Sequence, residues 1–304
     1  MPFPLVECIP NFSEARRLEI LDAILAAVRA VPGAHLLDFS SDRDHNRAVV
    51  TMAGSPEAME QAAFAAAACA AERIDLRRHK GEHPRIGATD VVPFVPLRGI
   101  TMGECAGLAR TLGRRIGEEL RLPVYLYAEA AARPGRKCLS AVRKGEYEGL
   151  AAAIETDPAR RPDFGPARLG PAGATAVGAR GPLIAFNIYL KTTDVEIARE
   201  IARRIRSSSG GLPALQAMGV TVCGLAQVSM NLTDFTQTSV PQAYGAVLLE
   251  AGRLGVELDR SELIGLLPQD AARGWNAADL RLVGFSESRI LERRLQETGL
   301  LEEP

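Results

Sequence analysis

The alternation of two apolar patterns is the feature that most limits how this chain can fold. Short β-prone runs alternate with longer runs whose apolar residues recur at helical spacing, and over Leu5–Leu97 they predict the order β-α-β-β-α-β. This order is the split βαβ pattern, in which the helices lie on one face of a mixed sheet. A second series of predicted strands and helices begins at Leu183–Leu190, LIAFNIYL. We therefore predict an α/β fold of the α+β type with ferredoxin-like character.

Capping residues predict where individual helices begin. The hydroxyl of Ser13 is placed to cap the first helix, Ser55 followed by Pro56 opens the second, and Asp194 caps a later one. Periodicity alone predicts three further elements, which are helices over Leu139–Ile154 and Ala277–Gly299 and a strand near Leu263–Leu267.

A segment rich in proline and glycine, Asp157–Arg180, separates the two series. It contains four prolines and four glycines, so no helix can continue through it. One interpretation is a plain linker between domains. Its length favours another, a segment that lines a functional site. Both interpretations predict two subdomains, residues 1–180, which include the linker, and residues 181–304.

Charge and composition exclude several classes of protein. The chain has 36 Lys and Arg against 37 Asp and Glu, so no bulk positive field attracts nucleic acid. RNA-recognition motifs share the βαββαβ order, but they need aromatic residues on the sheet, and only 5% of these residues are aromatic. The 47% hydrophobic content excludes disorder as the main state.

The cysteines and the N-terminus bear on the compartment. Five widely spread cysteines cannot form a complete disulfide framework and show no zinc-site spacing, so reduced thiols and a cytoplasmic location are predicted. The N-terminal residues lack the features of a signal peptide, and no apolar stretch is long enough to span a bilayer. We therefore expect no membrane partner.

The segment Arg77–Arg85, RRHKGEHPR, has the strongest chemical character. It contains two of the four histidines, and its four Lys or Arg against one Glu give a local charge of about +3. His79 and His83 have the spacing of a helical zinc site, but Gly81 and Pro84 oppose a helix there. A second interpretation is a general acid/base histidine in a pocket that attracts anions. The third is an exposed basic loop with incidental histidines.

A second polar segment, Ser40–Arg47, reads SSDRDHNR between two predicted strands. Most such turns are simply solvated. As one wall of a site, the segment offers Asp42 or Asp44 to a cation, and Arg47 to a carboxylate in bidentate geometry.

Ten sequence blocks resemble the formiminotransferase domain family in the family's order and across nearly the whole chain. The blocks are VECIPNFSE (6–14), HNR (45–47), RHKGEHPRIGATDVVPFVP (78–96), PVYLYAEAA (123–131), GEYEGL (145–150), DFGP (163–166), GATAVGAR (173–180), LIAFNI (183–188), AQVSMNLTDF (226–235) and LIGLLP (263–268). The HKGEHPR block is long and unusual in composition.

The resemblance implies an enzyme of histidine degradation. Such an enzyme transfers a formimino group from N-formimino-L-glutamate to tetrahydrofolate, its co-substrate, without a metal. The resemblance also implies a homodimer and two subdomains whose mixed sheets face each other, with helices outside and a folate tunnel between them. In animals the domain is fused to a cyclodeaminase, so here we expect a separate one. Formiminoglycine or N-formylglutamate as the donor, and a non-catalytic folate-binding module, stay open as alternatives.

The family pattern also implies site residues. Its catalytic histidine, in GEHP, falls on His83. Its folate-contacting stretch falls on Gly165, Pro166, Ala167, Arg168, Leu169, Gly170, Pro171, Ala172 and Gly173. Charge and nearness in sequence to the matched blocks add six candidates. These are Arg47, Lys80 and Arg85 for substrate carboxylates, Asp42 or Asp44 for the amidinium, and His79 as a supporting residue.

Overall fold

The computed structural model describes residues 3–302 and divides the chain into two compact units, residues 1–180 and 181–304. The strands of the N-terminal unit are β1 (Leu5–Cys8), β2 (Asn11–Phe12), β3 (His35–Asp42), β4 (Arg47–Gly54), β5 (Thr89–Arg98), β6 (Val124–Ala128) and β7 (Thr175–Ala179). Its helices are α1 (Leu18–Arg29), α2 (Pro56–Arg73), α3 (Met102–Glu119), α4 (Leu139–Val142) and α5 (Glu146–Ala153).

One mixed sheet forms the centre of the N-terminal unit. Its order is β1-β4-β2-β5-β7-β6, with β3 paired to β4. β7 runs parallel to both β5 and β6, and the pairs formed by β1 to β4 are antiparallel. The predicted α+β class is therefore confirmed.

The position of β7 corrects the linker interpretation of Asp157–Arg180. Its last part, Thr175–Ala179, is not a connection but a buried strand between β5 and β6. The small residues of TAVGA carry little strand propensity, and pairing with two neighbours far away in sequence overrides that weak local signal.

Two of the three predicted caps are confirmed. The Ser55 side chain accepts a hydrogen bond from the Ala58 amide, and the Asp194 side chain accepts one from Glu196. The Ser13 prediction was wrong, because α1 begins only after Arg17 and the Ser13 hydroxyl donates to the Gly87 carbonyl at 2.7 Å. Ser13 thus ties the first strands to the loop before β5.

Three later elements differ in their bounds from what periodicity indicated. Gly145, at φ +82°, separates α4 from α5 within the predicted helix Leu139–Ile154. Of Ala277–Gly299, only Leu291–Glu297 is α-helical, and the strand expected near Leu263–Leu267 occupies Leu258–Ile264. Gly145 is tolerated there because glycine adopts positive φ without steric cost.

Alanines allow the helices to pack closely on the N-terminal sheet. The face of α2 that includes Ala62, Ala66 and Ala70 is completely buried, and the α1 residues Ile24 and Val28 join the same core. Because alanine loses almost no side-chain entropy on burial, this interface forms with little loss of side-chain conformational entropy.

The C-terminal unit is built on a second sheet, with strands β8 (Ile184–Leu190), β9 (Leu215–Val222), β10 (Leu225–Leu232) and β11 (Leu258–Ile264) in the order β11-β8-β10-β9. Its longer helices are α6 (Val195–Ile205) and α7 (Val240–Arg253). The pairs in this sheet are antiparallel, where a mixed sheet was expected. Within residues 3–302, no helix is long and apolar enough to cross a membrane.

Candidate active site

Asn46 ties the two predicted polar segments together. Its side-chain amide donates to the Lys80 carbonyl at 3.1 Å, and its side-chain oxygen accepts from the Ala15 amide at 2.9 Å. A Cβ on Gly81 would lie 2.2 Å from the His45 carbonyl oxygen, so only glycine allows this approach. Residues 77–85 are therefore held against the turn between β3 and β4.

His83 lies in this loop with one ring nitrogen already committed. Its Nδ1 is 2.7 Å from the Pro84 carbonyl oxygen. Because a carbonyl oxygen only accepts, Nδ1 must carry the proton, and in the neutral ring Nε2 keeps a lone pair. The backbone thus fixes the tautomer that a general base needs.

A second histidine, His45, contacts His83. The ring centroids are 5.9 Å apart and the planes meet at 79°, an edge-to-face arrangement. The His45 backbone amide donates to Asp42 Oδ1 at 2.7 Å, which fixes the turn. The Nδ1 atom of His45 is buried and has no hydrogen-bond partner among the described residues.

A buried carboxylate lies between two guanidinium groups near His83. Asp90 is completely buried, and its Oδ2 is 2.7 Å from Arg47 Nη1 and 2.5 Å from Arg143 Nη2. Its Oδ1 accepts from the Ile86 amide at 2.9 Å. Burial alone would raise the pKa of Asp90, but Arg143 and Arg47 outweigh it and hold the pKa below its usual range.

The surroundings favour the neutral form of His83. Burial, followed by the positive charges of Arg47 and Arg143, lowers its pKa well below the ordinary value of 6.5, against the opposing effect of Asp90. Two guanidinium groups around one carboxylate leave one positive charge in excess, which disfavours an imidazolium ion nearby. The ring is therefore neutral, and ready to accept a proton, at neutral pH.

Arg47 is bound within the protein on two sides. Besides the Asp90 contact, its Nε and Nη2 donate to Asn11 Oδ1 at 3.1 and 2.7 Å. Burial lowers its pKa to about 10, so it stays charged at neutral pH. Its fork is thus held rigidly in place near His83.

His79 and Arg85 form a second network beside the loop. His79 Nε2 donates to the Asn46 carbonyl at 2.9 Å, and its Nδ1 accepts from Arg85 Nε at 3.2 Å. Arg85 also binds Glu146 Oε2 at 2.7 Å and Glu148 Oε1 at 2.7 Å. Both ring nitrogens of His79 are engaged, and the carboxylate partners of Arg85 belong to the chain itself.

The remaining charge candidates lie at the surface or in the turn. Lys80 is exposed, and within residues 3–302 its ammonium group makes no ion pair. Asp42 Oδ1 accepts from the amides of Asp44 and His45, so it orders the turn, and the exposed Asp44 accepts from the Glu82 amide through its carbonyl. The structure thus brings His83, Arg47 and the Asp42 turn together, while Lys80 faces solvent.

The stretch Gly165–Gly173 folds back on the loop before β5. Gly173 has φ +70°, and a Cβ there would lie 2.2 Å from the Ile86 carbonyl oxygen. The Ala172 carbonyl accepts from the Ala88 amide at 2.8 Å. These bonds attach the stretch to the segment that carries His83.

An open cavity of about 640 Å³ adjoins this stretch. Its walls include Ala167 and Arg168 together with Glu155 and Arg161. Two guanidinium groups against one carboxylate give it an excess of positive charge, which suits an anionic group of a ligand.

Sequence reasoning missed Asp90 and Arg143 as members of the site, and it included His45 only as part of the Ser40–Arg47 segment without a role of its own. Asp90 carried a usable signal, an acidic residue at the start of an apolar strand. Arg143 carried none, since it lies 53 residues away from its partner Asp90. In the part of the chain that the structure describes, no group of three His, Cys, Asp or Glu residues is placed to hold a metal ion.

Comparison with known proteins gives one consistent family. Residues 5–180 match the formiminotransferase domain, N-terminal subdomain, and residues 185–298 match the formiminotransferase domain. Both matches lie within the units that the structure separates.

Three relatives illustrate the similarity. The chain is 45% identical to the glutamate formimidoyltransferase of Thermoplasma acidophilum, covering 98% of this chain and 99% of the relative. It is also 45% identical to that of Streptococcus pyogenes, covering 96% and 98%. The formimidoyltransferase-cyclodeaminase of Rattus norvegicus is 45% identical over 88% of this chain, which spans 51% of that longer relative.

Proposed function

Because this chain belongs to the formiminotransferase family, we propose that it transfers the formimino group of N-formimino-L-glutamate to N5 of tetrahydrofolate. The products are 5-formiminotetrahydrofolate and L-glutamate, and the reaction is a step in histidine degradation. Tetrahydrofolate is a co-substrate rather than a resident cofactor.

The reaction needs one proton moved between two nitrogens. N5 attacks the formimino carbon and forms a tetrahedral intermediate. N5 then loses its proton, and the departing glutamate nitrogen gains one as the carbon–nitrogen bond to glutamate breaks. A single group that is neutral before the reaction and protonated in the middle of it serves both steps.

We assign this proton transfer to His83. The observation that carries the assignment is the 2.7 Å bond from Nδ1 to the Pro84 carbonyl, which leaves Nε2 as the base. The pKa of His83, lowered by burial and then by Arg47 and Arg143, keeps Nε2 unprotonated at neutral pH. A general acid/base of this kind contributes about 10²- to 10⁴-fold to the rate.

The charged residues around His83 have separable roles in this proposal. Asp90 holds Arg47 and Arg143 in place, and it balances part of their charge so that the imidazolium form of His83 stays accessible. The two remaining N–H groups of the Arg47 fork are candidates for a substrate carboxylate, as is the exposed Lys80. Asp42 or Asp44 stays the proposed partner of the cationic formimino group.

Arg85 and His79 act in this proposal by fixing the loop. Arg85 joins His79 to the start of α5 through Glu146 and Glu148. The ion pairs restrict the movement of the segment between His79 and Arg85, which contains His83. Positioning of this kind supports the large effective molarities that bound reactants reach.

The stretch Gly165–Gly173 is the proposed folate-contacting segment. Its hydrogen bonds to the loop before β5 and the positive cavity at Ala167 and Arg168 support this assignment. Arg161 and Arg168 would attract the glutamate carboxylates of folate. We further propose that the enzyme is a cytoplasmic homodimer. We also propose that its product passes to a separate cyclodeaminase, because the Thermoplasma acidophilum relative, 99% of whose length is matched, is named as the transferase alone.

Replacement of His83 tests the function directly. His83→Ala and His83→Asn remove the base, and we expect formimino transfer to fall by about 10²-fold or more. His35→Asn, in a histidine on β3 outside this cluster, is the matched control and should retain the parent rate. If a His83 variant kept a transfer rate within about threefold of the parent rate, the assignment of His83 as the proton-transferring residue would be wrong.

A further inference from the structure

One face of the C-terminal sheet carries a group of polar side chains. Phe186 and Ile188 of β8 point into the core formed with α6 and α7. Because side chains alternate along a strand, Asn187 and Tyr189 point to the opposite face. The strand register places Glu262 of β11 beside Asn187 and Gln227 of β10 beside Tyr189.

Three neutral donors hold one oxygen of the Glu262 carboxylate. Oε1 accepts from Asn187 Nδ2 at 3.0 Å, Tyr189 Oη at 3.1 Å and Gln227 Nε2 at 3.1 Å. Within residues 3–302, no Lys, Arg or His forms an ion pair with Glu262. Arg260, two residues earlier, stacks on the Tyr189 ring and pairs with Asp259. The other oxygen, Oε2, is therefore left without a donor in this part of the chain.

Gln227 adds a second acceptor to the same group. The residue is completely buried, and its Oε1 has no hydrogen-bond partner among the described residues. A buried amide oxygen without a donor costs free energy, so its retention calls for an explanation, and a donor that arrives from outside the chain supplies one. Gln227 and Glu262 are hydrogen-bonded to each other at 3.1 Å, and each keeps one oxygen for which the described residues supply no donor.

We propose that Glu262 and Gln227 form a binding site for a planar group with two adjacent N–H donors. One carboxylate oxygen and one amide oxygen, on two side chains that are hydrogen-bonded to each other, provide an acceptor for each N–H of such a pair. The three donors to Oε1 fix the carboxylate before the ligand arrives, which lowers the entropy lost on binding. The negative charge of Glu262 strengthens each bond to a donor.

The inference rests on the proposed function for the identity of the ligand. Both proposed substrates carry such a group, since the pterin ring of tetrahydrofolate has N3–H beside its 2-amino group, and the formimino group is an amidinium ion. The shared chemistry is the N–C–N donor pair. Binding measurements with each substrate separate the two sources.

Glu262→Gln is the most direct test. The three donors to Oε1 retain an acceptor in the glutamine oxygen, and its amide group then faces the ligand's donors in place of Oε2. We expect the dissociation constant of one substrate, measured by calorimetry, to rise by about 10- to 100-fold. Glu257→Gln, which removes an exposed carboxylate paired with Lys191 in the same unit, is the matched control and should bind both substrates as the parent does.

The binding measurements on Glu262→Gln either support the proposed binding site or overturn it. A loss confined to tetrahydrofolate identifies the pterin edge, and a loss confined to N-formimino-L-glutamate identifies the amidinium. Unchanged affinity for both, with only the melting temperature lowered, overturns the inference and makes the cluster structural. If Glu262→Gln does not fold, Gln227→Met replaces it, with the same selective loss expected and equal affinities again overturning the inference. Formimino transfer by the parent enzyme is scored separately, so it tests the proposed function alone.

Discussion

His45 stands edge-on to His83, with 5.9 Å between the ring centroids and 79° between the ring planes. The two rings come from different segments, the turn between β3 and β4 and the loop before β5. His45 thereby covers one side of the proposed base and limits the water that reaches it. Burial is the largest cause of the lowered pKa of His83, so this contact bears directly on the pH at which the base works.

Replacing His45 should move the acid side of the pH profile. In His45→Ala, water reaches His83 more freely, so we expect its pKa to rise toward the ordinary value and the acid limb of kcat/KM to shift to higher pH. The rate at the optimum should fall less than in His83→Ala, because the base is still present. His35→Ala serves as the control. An acid limb that stays in place in His45→Ala would show that the ring of His45 does not set the pKa of His83.

The lowered pKa of His83 also predicts how stability depends on pH. The unfolded chain binds a proton near pH 6.5, whereas the folded chain resists it until well below that value. The contribution of His83 to stability is therefore present above about pH 6.5 and is lost as the pH falls toward the folded-state pKa.

Urea unfolding at pH 7.5 and pH 5.5 measures this dependence. We expect the parent to lose more stability over this interval than His83→Asn, which has no group to titrate at that position. His79, whose pKa burial also lowers, contributes with the same sign and is present in both proteins, so the difference between them isolates His83. Identical losses in the two proteins would contradict the prediction.

The buried ion pairs of Asp90 lead to a prediction about stability. Asp90→Asn keeps a side-chain oxygen for the Ile86 amide but leaves Arg47 and Arg143 without a counter-charge. Breaking a buried pair by removing one partner costs about 3–5 kcal/mol, so a loss of this size is expected in urea unfolding. The pKa of His83 should fall further, because Asp90 normally raises it.

A double-mutant cycle separates the Asp90 pairs from general disruption. Arg143→Met leaves Arg47 and Asp90 as a one-to-one pair, and its cost should be smaller than that of Asp90→Asn. The double variant Asp90→Asn with Arg143→Met leaves one uncompensated cation instead of two, so it should be more stable than the sum of the single effects implies. Strict additivity would indicate that the two residues do not interact energetically.

Several elements in both units could be predicted from local patterns. The apolar periodicities of Leu18–Arg29 and Pro56–Arg73 are helical, and the β-prone run at Ile184–Leu190 forms a strand as expected. Thr175–Ala179 could not be found in this way, because its strand state depends on pairing with β5 and β6 rather than on its own residues. Ser13 shows the same limit, since its partner Gly87 lies 74 residues away.

In the candidate site, too, some features could be predicted from the local sequence, whereas others depend on residues that are distant in sequence. The GEHP motif predicted His83 as a candidate, and this assignment stays a prediction. The charges that shift its pKa come from Arg47, 36 residues earlier, and from Arg143, 60 residues later. The sequence offered Arg47 as a candidate for a substrate carboxylate, but it revealed neither Arg143 nor the joint effect of the two charges on His83. Arg85 looked like a free cation in the sequence, and only the structure shows its pairing with Glu146 and Glu148.

Two glycines in the proposed folate stretch provide the last test. Gly173 has φ +70° and lies so close to the Ile86 carbonyl that a Cβ would come within 2.2 Å, whereas a Cβ on Gly170 would meet no atom within 4 Å. Gly173→Ala should therefore cost at least about 1–3 kcal/mol of stability and weaken tetrahydrofolate binding, since the backbone must shift beside the loop that carries His83. Gly170→Ala, only three residues earlier, should stay within about 0.5 kcal/mol of the parent. Equal unfolding midpoints and equal folate affinities for the two variants would contradict this close contact, because an unstrained backbone at Gly173 would accept alanine as readily as Gly170 does.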